Sequence, residues 1–298
     1  FMIGGNDTMD TIHRVTDFAA GEGYELRGVG VPKTVDNDLY ATDHTPGYPS
    51  AARYTALTVQ QAGRLARDMQ KVDQFTIYQS IGRDAGWLTA AAALAKRSDE
   101  DAPHLVYMPE RAFYKEQFLA DVADAHNRFG YVSIVCGEGI KYADGTPVSA
   151  SQTTDKFANV EFGAMGGASV GMQLHRMVSD TFSWRGEFQI TESLPMCAID
   201  RAVEVDLAEA YGCGREAARL AGEGASGVMV ALVRESNDPY KCSLGTAPLE
   251  DVAVRAKPMP DEMINERGNF PSDAFLEYLR PLVGELPEYA DLTIEPVK

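Results

Sequence analysis

The sequence predicts an α/β protein with parallel sheets, and three observations support this fold class. Short runs of apolar and β-branched residues alternate with helical segments along most of the 298 residues. Glycine-rich turns join several of these runs to the helix that follows, which is typical of βα units. Apolar residues make up 45% of the chain, and its length suits about two domains of ~100–200 residues each.

The individual elements follow from local composition in chain order. Each predicted strand is apolar, β-branched or aromatic, and these strands lie at about 1–3, 25–31, 75–79, 104–108, 131–136, 187–191 and 227–233. The predicted helices lie between them, at about 7–20, 50–69, 87–96, 115–129, 168–178, 205–221 and 273–282. Phe1-Met2-Ile3 runs straight into glycine, like the end of a buried strand. We therefore expect N-terminal sequence, and part of the active site with it, to be missing from this chain.

Charge and hydropathy exclude several classes of function. The formal net charge is −17, which argues against nucleic-acid binding because a phosphate backbone requires a basic surface. No apolar run approaches the ~18 residues that a membrane span needs. The four cysteines show no spacing typical of a zinc site or a redox pair, so we expect reduced thiols and a cytoplasmic protein.

The first motif that could carry chemistry is a glycine turn between a predicted strand and helix. Its residues are Gly4, Gly5, Asn6, Asp7 and Thr8. Glycines let backbone N–H groups approach an anion, and the start of a helix adds a favourable dipole. The same residues also suit a simple helix cap, since Asp and Thr are common there. Both interpretations stay open at this point.

The second motif is Pro32-Lys33-Thr34-Val35-Asp36-Asn37-Asp38, a polar loop after a predicted strand. A hydroxyl that attacks phosphorus must lose its proton, and a carboxylate within hydrogen-bond reach can accept it. A second carboxylate can hold Mg²⁺, while a lysine balances charge on phosphate. A solvated turn is the structural alternative, because Asp and Asn favour turns.

Two further motifs also follow strands. Gly82 and Arg83 lie in a glycine-rich turn, and Glu110 follows the strand that ends near Met108. In an open α/β sheet, ligands bind beyond the carboxyl ends of the strands. All four motifs take this position, which favours a shared functional site over four unrelated turns.

These segments together resemble the phosphofructokinase family, and specifically its pyrophosphate-dependent branch. The resemblance is carried by GGNDT (4–8), GVPKTVDNDL (30–39), TDHTPGYPSAARY (42–54), IGRDAGWLTAAAALA (81–95), MPE (108–110) and CGEGI (136–140). The segments occur in family order and at family-like spacing, and the similarity spans essentially the whole chain.

The resemblance implies two Rossmann-like three-layer domains of the phosphofructokinase type. The phosphoryl-donor domain would comprise 1–45 and about 205–255. The acceptor-binding domain would comprise 46–204 and a C-terminal helix at about 270–298. The resemblance also implies Mg²⁺ as cofactor, transfer to O1 of fructose 6-phosphate, and a homodimer or homotetramer.

The family's functional residues map onto the motifs residue by residue. Asp36 matches the general base, and Lys33, Thr34 and Asp38 match groups at the transferring phosphate. Gly4, Gly5, Asn6, Asp7 and Thr8 match the donor-binding turn. Gly82, Arg83 and Glu110 match the acceptor site, and Asn6 and Asp38 are the candidate metal ligands.

Two positions indicate the phosphoryl donor. Relatives that use ATP carry glycine at the positions of Asp7 and Lys33, whereas pyrophosphate users resemble this chain. A carboxylate at Asp7 would repel the α-phosphate of ATP, and a cation at Lys33 would suit compact pyrophosphate. The resemblance therefore favours inorganic pyrophosphate as the donor.

Three departures from the family leave alternatives open. Asn6 replaces an aspartate that binds metal, Met196 replaces an arginine, and Asp200 replaces a histidine. The last two positions hold the acceptor's phosphate in the family, and the loss of a bidentate cation should weaken phosphate binding. An unphosphorylated polyol such as an inositol is thus an alternative acceptor, with Arg185 or Arg201 as possible replacement cations. A non-catalytic regulatory subunit is the second alternative.

Overall fold

Two four-stranded sheets organise the chain, as seen in a computed structural model that describes residues 1–149, 169–253 and 256–290. The strands are β1 (Met2–Gly4), β2 (Val29–Pro32), β3 (Phe75–Ser80), β4 (Leu105–Tyr107), β5 (Val132–Gly137), β6 (Gly186–Ile190), β7 (Val228–Asn237) and β8 (Tyr240–Pro248). The helices are α1 (Asn6–Gly21), α2 (Tyr48–Met69), α3 (Trp87–Ala91), α4 (Lys115–Phe129), α5 (Val170–Phe182), α6 (Glu204–Gly222), α7 (Leu249–Ala253) and α8 (Asp273–Val283).

The first sheet has the strand order β1-β2-β7-β8 and lies between two layers of helices. Strands β1, β2 and β7 are parallel, and β8 pairs with β7 in the antiparallel direction. Met9 of α1 and Leu249 of α7 are fully buried on one face, whereas Cys213 of α6 is fully buried on the other. This is the three-layer arrangement that the sequence predicts.

The second sheet is entirely parallel, with the order β4-β5-β3-β6. Helices α2, α3 and α8 cover one face through residues such as Leu88 and Phe275, and helices α4 and α5 cover the other through Phe118 and Leu174. Both faces of a parallel sheet must be covered, which explains why every residue of β3 and β5 is buried. The predicted α/β fold with Rossmann-like layers is confirmed.

Some elements differ from the prediction. Strand β8 was not expected, because most of its nine residues are polar or small and it includes Gly245 and Pro248. The helix predicted over 87–96 is instead α3 followed by a 3-10 turn at Ala92–Ala95. The start of the helix predicted at 168–178, part of the predicted acceptor domain, and residues 291–298 lie outside the described residues. The domain boundaries therefore stay a prediction.

Helix α8 connects the two sheets. Its Phe275 and Leu279 are fully buried against the second sheet. The carbonyl oxygen of its Tyr278 accepts a hydrogen bond from Arg234 of β7, in the first sheet, at 2.7 Å. Among the described residues, no helix combines the length and apolarity needed to cross a membrane.

Candidate active site

The glycine turn at the end of β1 forms the first part of the site. Gly4 is buried, and a Cβ atom there would lie 2.1 Å from the hydroxyl oxygen of Thr8, so the turn requires glycine. Asn6 begins α1, and its side-chain oxygen accepts a hydrogen bond from the Asp7 N–H at 3.0 Å. Asp7 itself is exposed in the first helical turn. The turn thus presents a helix start and a free carboxylate to solvent.

The pairing of β1 with β2 brings this turn beside the loop at residues 33–38, which we call the base loop. Gly4 lies opposite Pro32 in the parallel register, and the Lys33 N–H donates to the Gly4 carbonyl at 3.1 Å. Lys33 is exposed, whereas Thr34 is half-buried and accepts the Asp36 N–H on its hydroxyl at 3.1 Å. The first two motifs therefore share one edge of the sheet.

Asn37 fixes the conformation of the base loop. Its side chain is fully buried, and its φ of 57° lies in the left-handed region, which Asn tolerates better than most residues. The side chain donates to the hydroxyl of Tyr278 at 3.0 Å and accepts the Thr45 N–H at 3.1 Å. Asp36 and Asp38 therefore flank an anchored residue, and both remain half-buried.

The acceptor motifs lie beyond the second sheet. One carboxylate oxygen of Glu110 accepts the Gly86 N–H at 2.8 Å and the Met259 N–H at 3.0 Å. Its other oxygen is buried and has no hydrogen-bond partner among the described residues. Gly82 has a φ of 121°, which favours glycine, and Arg83 beside it is exposed. An unpartnered buried carboxylate oxygen is suited to a ligand hydroxyl.

Electrostatic interactions place the two halves of the site in one neighbourhood. Burial, and then the Asp38 charge, raise the pKa of Asp36 from 3.8 to about 6, against the opposing effect of Arg83 and Lys33. Burial also raises the pKa of Asp38, with Asp84 contributing in the same direction. The structure thus brings the base loop and Arg83 together. A carboxylate with such a pKa is ionised at neutral pH and still basic enough to accept a proton.

Glu138 belongs to the same neighbourhood, although we did not select it from the sequence. It follows β5, and one of its carboxylate oxygens accepts the Gly82 N–H at 3.2 Å. Burial and the charge of Asp36 raise the pKa of Glu138 to about 7. Its position directly after a buried strand, within CGEGI, was the available sequence signal.

The described residues contain no group of three His, Cys, Asp or Glu side chains arranged to enclose a metal ion. The carboxylates nevertheless suit a hard cation, because Mg²⁺ is commonly held by one or two carboxylates together with substrate phosphates. Asp38 has a raised pKa, so a nearby cation would stabilise its ionised form. The oxygen of Asn6 already accepts a backbone N–H, and the pair Asn6 and Asp38 stays a prediction.

A second polar cluster is linked to the base loop through Tyr278, whose hydroxyl bonds both Asn37 and the Asp43 carbonyl. His44 is fully buried between carboxylate oxygens of Asp43 at 2.8 Å and Glu209 at 2.7 Å. Burial lowers the pKa of His44, but the two carboxylates outweigh that effect and raise it overall. Arg234 pairs with Asp43 at 2.9 Å, and Lys257 donates to the Asp43 carbonyl at 2.9 Å. Sequence reasoning did not find this cluster, because Glu209, Arg234 and Lys257 are far from Asp43 and His44 in the chain.

The structure does not bring Met196 and Asp200 into hydrogen-bonding contact with Arg83 or Glu110. They lie in two 3-10 turns, Leu194–Met196 and Ile199–Arg201, and both side chains are exposed. Met196 lines an apolar cavity of about 470 Å³ that also touches Lys33. Asp200 pairs with its neighbour Arg201 at 3.4 Å.

Comparisons with known proteins agree with this geometry. Residues 1–185 match the sequence model of the family described as phosphofructokinase. A pyrophosphate–fructose 6-phosphate 1-phosphotransferase of Xanthomonas campestris is 36% identical, over 95% of this chain and 68% of the relative. A sulfofructose kinase of Alkalicoccus urumqiensis is 32% identical, over 98% of this chain and 72% of the relative.

A solved structure is similar over the same extent. The crystal structure of a pyrophosphate-dependent phosphofructokinase from Nitrosospira multiformis matches with a TM-score of 0.83 and 33% identity. The match covers 98% of this chain and 69% of that chain. The chain therefore spans about two thirds of the length of these relatives.

Proposed function

The chain belongs to the phosphofructokinase family, and on that basis we propose that it transfers a phosphoryl group from inorganic pyrophosphate to O1 of fructose 6-phosphate. The observation that carries the proposal is Asp36, a half-buried carboxylate with a pKa of about 6 that interacts with Lys33, Asp38 and Arg83. This combination supplies a base and flanking cations where the base loop and Arg83 interact.

The residues act as follows in the proposed reaction. Asp36 accepts the proton of the acceptor hydroxyl while the hydroxyl oxygen forms a bond to phosphorus. The bridging P–O bond of pyrophosphate breaks, and inorganic phosphate leaves. Lys33 and Arg83 balance the charge of the phosphoryl oxygens, while Glu110 orients the acceptor through its unpartnered oxygen. Positioning and electrostatic stabilisation supply most of the rate in phosphoryl transfer.

Family membership indicates a divalent cation, and we propose Mg²⁺ held by Asp38, with Asn6 as the second candidate ligand. When bound, Mg²⁺ would neutralise charge on the phosphate oxygens. Gly4, Gly5 and Thr8 form the donor turn, and the exposed carboxylate of Asp7 repels the additional phosphate of a nucleotide.

The acceptor in this proposal carries an anionic group. Met196 and Asp200 favour an unphosphorylated polyol as acceptor. The relatives, however, are named for fructose 6-phosphate and sulfofructose, and these names favour neither the polyol nor a non-catalytic subunit. A homodimer or homotetramer is proposed by family membership alone, and light scattering after size exclusion would test it. The cytoplasmic location stays a prediction.

Direct measurement of the phosphorylated acceptor with purified protein tests the function, because transfer from pyrophosphate releases phosphate whereas transfer from ATP releases ADP. Pyrophosphate and ATP are compared as donors, and fructose 6-phosphate, sulfofructose, fructose and myo-inositol as acceptors. We expect turnover with pyrophosphate and an anionic acceptor. Turnover with ATP alone would show that the donor assignment is wrong.

The role of Asp36 has its own test. Asp36→Asn should lower kcat by about 100-fold or more, since a positioned general base contributes roughly 10²–10⁴-fold. In the wild-type protein, kcat/KM should rise with pH through about 6, because the base must be ionised. Asp124→Asn, at an exposed position on α4, is the matched control. A loss of tenfold or less in Asp36→Asn would contradict the assignment.

A further inference from the structure

Met196 and Asp200 are exposed, and neither side chain supplies the cation that an anionic acceptor requires. Two arginines lie near this part of the chain. Arg185 precedes β6, and its guanidinium pairs with Asp73 at 2.9 Å at the amino end of the sheet. Ligands bind at the opposite end of parallel strands, so Arg185 is poorly placed.

Arg201 lies at the carboxyl end of the second sheet. Its guanidinium carbon is 5.5 Å from the ring centre of Tyr54 in α2, and its charge affects the hydroxyl of Tyr78. That hydroxyl lies 3.0 Å from the hydroxyl of Thr191, which directly follows β6. Arg201 therefore lies beside the strand end next to the one that carries Arg83.

The guanidinium of Arg201 has unused hydrogen-bonding capacity. The side chain is 22% exposed, and its Nη1 is buried without a hydrogen-bond partner among the described residues. Its Nε contact with Asp200 is long, at 3.4 Å. A guanidinium offers five N–H donors, so this one can still bind several oxygens of an anion.

The spacing along α2 relates Arg201 to the base loop. Gly47 forms an isolated bridge with Thr34 of the base loop and precedes α2, whereas Tyr54 lies seven residues later. At 1.5 Å per residue this separation is roughly 10 Å, comparable with the length of a six-carbon sugar phosphate. An acceptor with its hydroxyl at Asp36 could therefore extend its other end toward Arg201.

We infer that Arg201 binds the tetrahedral oxyanion at the far end of the acceptor, in place of the family cation that Met196 replaces. The ligand is a sugar that carries either a phosphate monoester or a sulfonate. Charge-assisted hydrogen bonds from the planar guanidinium hold this anionic group. The inference rests on the proposed function for the identity of the acceptor. Asp200, which competes for the same guanidinium, tunes its affinity.

Direct binding tests this role independently of turnover. Calorimetry measures the dissociation constants of fructose 6-phosphate, sulfofructose and neutral fructose with the 298-residue chain in the absence of a donor. Arg201→Met keeps the aliphatic packing on Tyr54 but removes the charge. It should weaken fructose 6-phosphate binding about 10- to 100-fold and leave fructose binding unchanged. Arg201→Lys should lie between the two, and Asp200→Asn should strengthen the binding of the anionic sugars.

The controls separate folding, anion binding and catalysis. Arg185→Met should leave every dissociation constant unchanged, and circular dichroism confirms that each variant is folded. Equal fructose 6-phosphate affinity in the wild type and Arg201→Met would overturn the inference, as would preference of the wild type for fructose over both anionic sugars. Arg201-dependent binding without any pyrophosphate-dependent turnover would support the inference while refuting the proposed function. Stronger binding of sulfofructose than of fructose 6-phosphate identifies the anion as a sulfonate and also supports it.

Discussion

Replacement of the proposed base by its neutral analogue should stabilise the folded protein. Burial and Asp38 raise the pKa of Asp36 from 3.8 to about 6, so ionisation of Asp36 is harder in the folded protein than in the unfolded chain. About two pKa units correspond to ~3 kcal/mol. Because the side chain keeps contact with solvent, we reduce this to about 1–2 kcal/mol in the free energy of unfolding. Asp36→Asn removes that cost.

The sign of the pH dependence follows from the direction of the shift. The pKa of Asp36 is higher in the folded protein than in the unfolded chain. Its contribution to the free energy of unfolding is therefore complete below pH 3.8, where both states are protonated, and is lost as the pH rises through about 6. Asparagine does not titrate in this range. The stability gained by Asp36→Asn should therefore be greatest above pH 6 and should vanish below pH 3.8.

Thermal unfolding followed by circular dichroism at about pH 7.5 and pH 4, in low-salt buffer, measures the effect. Asp124→Asn is the control, because that carboxylate is exposed on α4 and should change the melting temperature little at either pH. An Asp36→Asn protein that melts no higher than the wild type at pH 7.5 would refute the reasoning. An equal gain at both pH values would do the same, since it would exclude an effect of ionisation.

Three further substitutions probe other parts of the site. Gly4→Ala should raise the KM for pyrophosphate, because its methyl group would collide with Thr8, whereas Gly21→Ala, at the far end of α1, meets no atom within 4 Å and serves as the control in the same assay. Asp206→Ala should cost about 2–4 kcal/mol in urea unfolding, because Asp206 is buried and accepts hydrogen bonds from the N–H groups of Gly47, just before α2, and Ser50, in its first turn. Asn37→Ala should lose about 2–3 kcal/mol from two hydrogen bonds and a left-handed φ, and Asn37→Gly should recover about 1 kcal/mol of that loss. Equal melting temperatures of the two Asn37 variants would contradict the backbone part of this explanation.

The sequence predicts the parallel strands and the base loop because both depend on local patterns. Strand β5 is apolar apart from Ser133, as a doubly covered sheet favours, and the carboxylates of Asp36 and Asp38 are two residues apart in one loop. Strand β8 lacks such a pattern, since its stability comes from pairing with β7 and not from a buried face of its own. Its local composition therefore did not lead to a strand prediction.

The contacts between distant residues account for most of what the sequence did not predict. Nothing in the neighbourhood of His44 indicates that Glu209 lies 2.7 Å from its ring. Similarly, the sequence offers both Arg185 and Arg201 as candidate cations. The ion pair with Asp73 holds Arg185 at the end of β6 opposite to Arg201. Residue type identified the possible chemistry, but only the tertiary structure showed which groups meet.

The hydrogen bond between Asn37 and Tyr278 has a practical consequence for anyone who shortens this protein. It joins residues 241 positions apart, so the conformation of the base loop depends on a residue of α8. A fragment that ends before α8 would keep Asp36 and Asp38 in its sequence but lose the partner that holds the residue between them. Such a fragment would also expose the face of the second sheet that Phe275 and Leu279 cover, so it is unsuitable for activity measurements.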